Sequence, residues 1–213
     1  MLFLQEVCRV MIIAIDGPAA SGKGTLAKRI AERLGLPHLD TGLLYRAVGQ
    51  RMLDGGHALA DHDAATRLAA ALSVDWLSDA RLRSAEAGKA ASAIAIIPAL
   101  RGALRQFQVD FAHQPGGAVL DGRDIGTVIA PDADVKIWVT ASSAVRGRRR
   151  FLELSPRDPV VSEAQLIADL EARDARDAPN MVRAADAFVL DTTDMDRDAV
   201  LDAAFSIIDA ARS

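Results

Sequence analysis

Residues 10–25 run Val-Met-Ile-Ile-Ala-Ile-Asp-Gly-Pro-Ala-Ala-Ser-Gly-Lys-Gly-Thr, and no other stretch constrains the fold so strongly. An apolar strand leads directly into a glycine-framed loop, and the loop opens an amphipathic helix through Leu26-Ala27-Lys28-Arg29-Ile30. Gly17 and Gly22 stand five positions apart, a spacing that lets the backbone wrap with its N–H groups pointing inward. The helix that follows directs the positive end of its dipole at the same point. Lys23 adds a mobile point charge suited to the outer phosphates of a polyphosphate. Gly24 separates it from the hydroxyl of Thr25. A plain strand-to-helix turn has no need of a lysine between two glycines, so residues Gly17, Pro18, Ala19, Ala20, Ser21, Gly22, Lys23, Gly24 and Thr25 are read as a phosphate-binding loop.

The rest of the chain fits an α/β fold. Short apolar runs at 10–15, 37–39, 118–120, 135–139 and 187–190 lack the alternation of a half-exposed sheet. They predict five strands of a parallel sheet covered by helices on both faces, in three layers. Helical patterns are expected over 24–34, 43–53, 64–72, 85–97, 99–113, 143–154, 163–178 and 198–211. Thr41 is the expected N-cap of the second helix, Ser162 with Gln165 fits a capping box, and Pro98 suits a first turn. Loose alternation of Val74, Trp76 and Leu77 suggests one further small strand. Residues 41–114 are too long for a simple crossover and read as an inserted helical unit. Residues 147–180 form a second excursion, with a stiff tip at Pro156-Arg157-Asp158-Pro159.

Composition narrows the function. With 213 residues, half of them hydrophobic, the chain suits one domain with insertions. A net charge of −4 and 4% aromatic residues disfavour a nucleic-acid surface or a base-stacking platform. The single cysteine, Cys8, forms no internal disulfide and fits a reducing cytoplasm. The four histidines show no metal-ligand spacing, and no apolar run reaches the length of a membrane span. Either Met11 is expected to be the natural start, or residues 1–9 a dispensable N-terminal extension.

Phosphoryl transfer requires dense positive charge, a metal ion and exclusion of water. Arginines stand where strands end and excursions begin. Arg46 follows Asp40-Thr41-Gly42, and Arg123 lies within Asp121-Gly122-Arg123-Asp124. The alternatives are a solvated helix face for Arg46 and a surface pair with Asp121 or Asp124 for Arg123. Arg146, Arg149 and Arg150 share one helical face, and Arg173 and Asp177 another. Asp121 is the one candidate for holding magnesium, through water, and no metal ligand follows directly from the side-chain pattern.

Together these stretches resemble the bacterial cytidylate kinases, a family of phosphate-loop nucleoside monophosphate kinases. The resemblance rests on 17–25, on His38-Leu39-Asp40-Thr41-Gly42 with Tyr45-Arg46, and above all on Asp121-Gly122-Arg123-Asp124-Ile125-Gly126-Thr127. Pro131-Asp132-Ala133, Ala141-Ser142-Ser143 with Arg146, and Ala184-Ala185-Asp186-Ala187 with Leu190-Asp191 extend it over nearly the whole chain from Val10.

The resemblance implies transfer of the γ-phosphoryl group of ATP, with Mg2+, to CMP or dCMP. It implies a core of 10–40, 115–145 and 184–213, a monophosphate-binding insert at 41–114, and a lid with connecting helices at 146–183. By position, Arg46 and Arg123 would hold the acceptor phosphate. Ser92, Arg101 and Asp124 would face cytosine, and Arg173 and Asp177 the ribose, with Thr41 nearby. Lys23, Arg148 and Arg149 would stabilise the transferring group. A monomer in the cytoplasm, without nucleic-acid or membrane partners, is expected. Two departures touch the acceptor side. Asn180 stands where relatives carry an arginine, with Arg183 a possible substitute, and the insert is short near 78–83. The rival expectations are a kinase for another monophosphate and a nucleotide-binding regulator without turnover. The chain lacks the Asn-Lys-x-Asp run of guanine-reading switches.

Overall fold

A computed structural model describes residues 10–156 and 160–212. The proposed extension 1–9 and residues 157–159 of the expected lid tip lie outside the described residues. Five strands, β1 (Met11–Asp16), β2 (His38–Asp40), β3 (Gly117–Gly122), β4 (Val135–Thr140) and β5 (Phe188–Asp191), form one sheet in the order β2-β3-β1-β4-β5. Every pairing is parallel.

The apolar run of β1 explains the layering. Successive side chains of a strand point to opposite faces. Ile13 and Ile15 enter a core with Leu26 and Ile30 of α1 (Lys23–Leu34) and with Ala204 and Ile208 of α8 (Arg197–Arg212). Ile12 and Ala14 face the other way, against the four helices that lie between β2 and β3. These are α2 (Thr41–Asp54), α3 (His62–Ala70), α4 (Ala85–Ile94) and α5 (Pro98–Ala112). Ile13 is fully buried, and truncating such a side chain to alanine costs about 2–5 kcal/mol. Helices α6 (Ser143–Leu154) and α7 (Glu163–Asp177) pack on each other between β4 and β5.

Four local expectations need revision. Val74, Trp76 and Leu77 lie in a 3-10 helix, Val74–Ser78, capped by the Ser73 hydroxyl. Among the described residues no strand runs beside this segment, and Trp76 instead packs under the Arg51 guanidinium, 4.8 Å away. The cap of α2 is Asp40, whose carboxylate accepts from Gly42 N at 2.9 Å. Thr41 is the first helical residue and donates its hydroxyl proton to the Asp121 carbonyl at 2.8 Å. The expected helix over 85–97 stops at Ile94, because Ile97 takes an extended conformation and Pro98 starts the next helix. The Ser162 cap is present, with its hydroxyl accepting from Gln165 N, but the Gln165 side chain bonds forward to Asp169 rather than back.

The carboxyl ends of β1, β2, β3 and β4 emerge side by side. The strand order places β1 between β3 and β4, so its loop opens at a point where the chain departs in two directions. Ligands of open parallel sheets collect at such a crevice.

Candidate functional site

The loop after β1 is held open by backbone conformation. Gly17 has φ 150°, and a side chain there would stand 2.0 Å from the Val139 carbonyl oxygen, so only glycine lets the loop cross β4 this closely. Gly22 caps α1 in the left-handed region at φ 93°. Ala20 also has positive φ, 58°, at a cost of about 1–2 kcal/mol for an L-residue. Such strain persists where the surroundings enforce it, and two arginines do so here. Arg146, 6% exposed, donates to the carbonyls of Ala19 (3.1 Å) and Ala141 (3.0 Å) and pairs with Asp174 at 2.7 Å. Arg149 donates to the Ser21 carbonyl (3.2 Å) and to both oxygens of Thr192 (3.0 and 2.7 Å). Their shared helical face thus grips the outside of the loop.

Lys23 lies at the inner end of the loop, 4.0 Å from the Asp121 carboxylate. Burial pushes its ammonium down to about 8, the charge of Arg123 pushes the same way, and Asp121 and Asp40 oppose both. The group remains a cation at neutral pH. Asp121 is 2% exposed and receives His38 Nε2 at 2.8 Å on its other oxygen. Asp40 beside it is raised by burial and by the charge of Asp121.

From Lys23 a cleft opens toward α4, α5 and α7. It is lined by all eight residues expected to meet the smaller nucleotide: Thr41, Arg46, Ser92, Arg101, Arg123, Asp124, Arg173 and Asp177. Arg123 pairs with Asp177 at 3.1 Å and donates to the Gly17 carbonyl at 2.9 Å, rather than pairing with Asp121 or Asp124. Arg173 stands 3.6 Å from the same Asp177, and burial pushes its guanidinium down to about 10. Arg101 is hydrogen-bonded to Asp124 and sits 6.0 Å over the Tyr45 ring. Asp124 is raised by burial, with Arg101 opposing. Arg46 is not a solvated side chain. It reaches back to the carbonyls of Leu82 (2.8 Å) and Ser84 (3.1 Å).

A second groove lies on the outer side of the loop. Ser21, Gly22, Thr25, Arg29, Arg149 and Arg197 line it, with Met195 and Val200 supplying apolar surface. Arg148 reaches neither opening; it points outward, 2.8 Å from Glu163. Asn180 and Arg176 line the inner cleft, whereas Arg183 does not.

Several residues of the site carry no contiguous signal. Gln108, 3% exposed, reaches the inner cleft from the far end of α5. Asp196 and Arg197 reach the outer groove from beyond β5. Asp16, the last residue of β1, carries one sequence signal, a charge ending an apolar strand. Among the described residues no group of three or more His, Cys, Asp or Glu side chains could hold a metal ion.

The fold and the loop define a phosphate-loop α/β protein with an opening on either side of the loop, Ala20 lining both and Lys23 the inner one. Comparison with known proteins gives the family. A cytidylate kinase family model matches residues 13–210. The chain is 54% identical over 205 residues to a cytidylate kinase of Methylocella silvestris, covering 94% of this chain and 95% of that one. It is 53% identical over 206 residues to a cytidylate kinase of Azorhizobium caulinodans, covering 95% and 100%. Among solved structures, an uncharacterised Eubacterium ventriosum protein superposes with a TM-score of 0.54 at 15% identity, over 95% of this chain and 99% of that one. A Thermus thermophilus protein gives 0.50 at 21% identity, over 96% and 98%. These two speak for the fold. The chain belongs to the cytidylate kinase family.

Proposed function

We propose that the protein transfers the γ-phosphoryl group of ATP to CMP or dCMP, giving ADP and CDP or dCDP. The observation that carries this reading is the pair of openings on either side of the Gly17–Thr25 loop, Ala20 lining both and Lys23 standing at the inner one. ATP lies with its phosphates in the loop and its nucleoside in the outer groove. The monophosphate occupies the inner cleft, its phosphate on Arg46 and Arg123, its base by Ser92, Arg101 and Asp124, its ribose by Arg173 and Asp177, near Thr41. An oxygen of the acceptor phosphate attacks the γ-phosphorus as the bond to the β-phosphate oxygen breaks. No side chain becomes covalently attached, so the protein contributes position and charge. Lys23 follows the transferring group, and Arg149 stiffens the loop while adding a cation beside it. Arg148 joins that charge only through a movement of α6.

The chemistry of the donor set fits magnesium. Mg2+ keeps most of its water and takes one or two carboxylates beside substrate phosphates. The Thr25 hydroxyl and, through water, Asp121 would hold it, where it would neutralise phosphate charge. Asp121 Oδ1 lies 3.6 Å from the position of a Cβ on Gly24. The reading takes 41–114 as a monophosphate-binding insert, 146–183 as a lid, and the protein as a cytoplasmic monomer acting on small molecules. An acceptor panel scored by ADP release tests it. CMP and dCMP should be preferred; equal turnover of AMP or UMP overturns the acceptor, and nucleotide binding without ADP release overturns the kinase.

A further inference from the structure

We propose that Asp16 is a positioning residue for the acceptor, its carboxylate clamping the turn that carries Arg123 and Asp124 to the start of the phosphate-binding loop. The inference rests on the acceptor reading above. Asp16 ends β1 and is 5% exposed. One carboxylate oxygen accepts from Ile125 N at 2.9 Å, and the other from Gly126 N at 2.8 Å. These two residues open a single π-helical turn, Ile125–Ile129, whose first N–H groups have no acceptor within the turn. Directly before the turn stand Arg123 and Asp124. Directly after Asp16 stands Gly17, whose carbonyl accepts from Arg123. Asp16 thus links the loop to the turn, and Arg123 links the turn back to the loop. This closed circuit fixes the distance between the phosphate site and the two acceptor side chains.

A carboxylate is the side chain this circuit needs. Both oxygens accept at once, whereas asparagine offers one acceptor and turns an N–H2 group onto an N–H. Burial pushes the Asp16 carboxyl up to about 6, against the pull of the two N–H bonds. The charge of Asp124 on the turn pushes the same way as burial, and that of Lys23 on α1 opposes it. Asp16 is therefore ionised at neutral pH. As pH falls through about 6 it takes up a proton, and one oxygen becomes a donor facing an N–H.

The test is Asp16→Asn, assayed by varying each substrate in turn. The KM for CMP should rise about tenfold, while kcat and the KM for ATP stay within about threefold of wild type. The fall in CMP affinity between about pH 7 and 5.5 should be shallower than in wild type, a difference that cancels the titration of CMP itself. A proportional rise in both KM values, or an unchanged KM for CMP, overturns the proposal. Should the variant not fold, the amide proton shifts of Ile125 and Gly126 in nucleotide-free wild-type protein decide it. They should share one titration with a midpoint near 6. Flat shifts from about pH 5 to 7.5 overturn it. This second measurement needs no turnover, so a protein that fails the acceptor panel yet shows the titration loses the functional reading and keeps the clamp.

Discussion

The inner cleft and the outer groove share one loop but are built differently. Inside, three guanidinium groups are paired with carboxylates, Arg101 with Asp124 and Arg123 and Arg173 with Asp177, while Arg46 is held by main-chain carbonyls. Outside, Arg149 is tied to a hydroxyl and to main-chain oxygens, and the loop itself offers backbone. The difference teaches how each ligand is selected. A phosphate entering the cleft must share Arg123 with Asp177, so the cleft holds its cations in place before the ligand arrives. A polyphosphate on the loop meets N–H groups that side-chain truncation leaves in place. Acceptor recognition is therefore spread over several replaceable charges, while on the donor side the phosphates meet backbone first, with Lys23 and Arg149 as the cations beside it.

Substitutions can break or sharpen that contrast. Lys23→Ala should have the largest effect, lowering kcat about a thousandfold with little change in melting temperature, as read by steady-state assay and calorimetry. Arg123→Gln should lower kcat/KM for CMP about a hundredfold, mostly through KM, because Asp177 loses its 3.1 Å partner. Equal loss for ATP in a varied-donor assay would show that the two sides are not separable. Asp124→Asn should reduce the preference for CMP over UMP about tenfold in the acceptor panel. Arg148→Ala should change kcat about twofold at most, since its pair with Glu163 is solvent-exposed. Arg149→Ala should cost clearly more, and the ratio of the two measures whether α6 must move for turnover.

Much of this was legible because it is contiguous. The loop 17–25 and the run 121–127 each carry their chemistry within nine residues, and spacing alone placed them at strand ends. The sheet was readable because runs such as Met11–Asp16 are apolar at positions that feed both faces. Helical periodicity put Arg146, Arg149 and Arg150 on one face but could not say what that face meets. Two of them hold carbonyls of the loop, and Arg150 pairs with Glu153. Local alternation misled at Val74 and Trp76, where a 3-10 turn mimics a strand and none of the described strands runs alongside. Thr41 and Asp40 are both good caps, and what distinguished them was the carbonyl of Asp121, 80 positions away, which takes the threonine hydroxyl. Asp16 was missed for the same reason, since its partners lie 109 and 110 positions along the chain.

The account turns on two nucleotides meeting at Lys23. The direct measurement is calorimetric titration with a single molecule joining adenosine and cytidine through five phosphates. The account predicts one molecule bound per chain, weakened by both Lys23→Ala and Asp124→Asn, with no further uptake of CMP or ATP analogue by the saturated protein. Uptake of free CMP by the saturated protein, or affinity indifferent to one of the two substitutions, would contradict it.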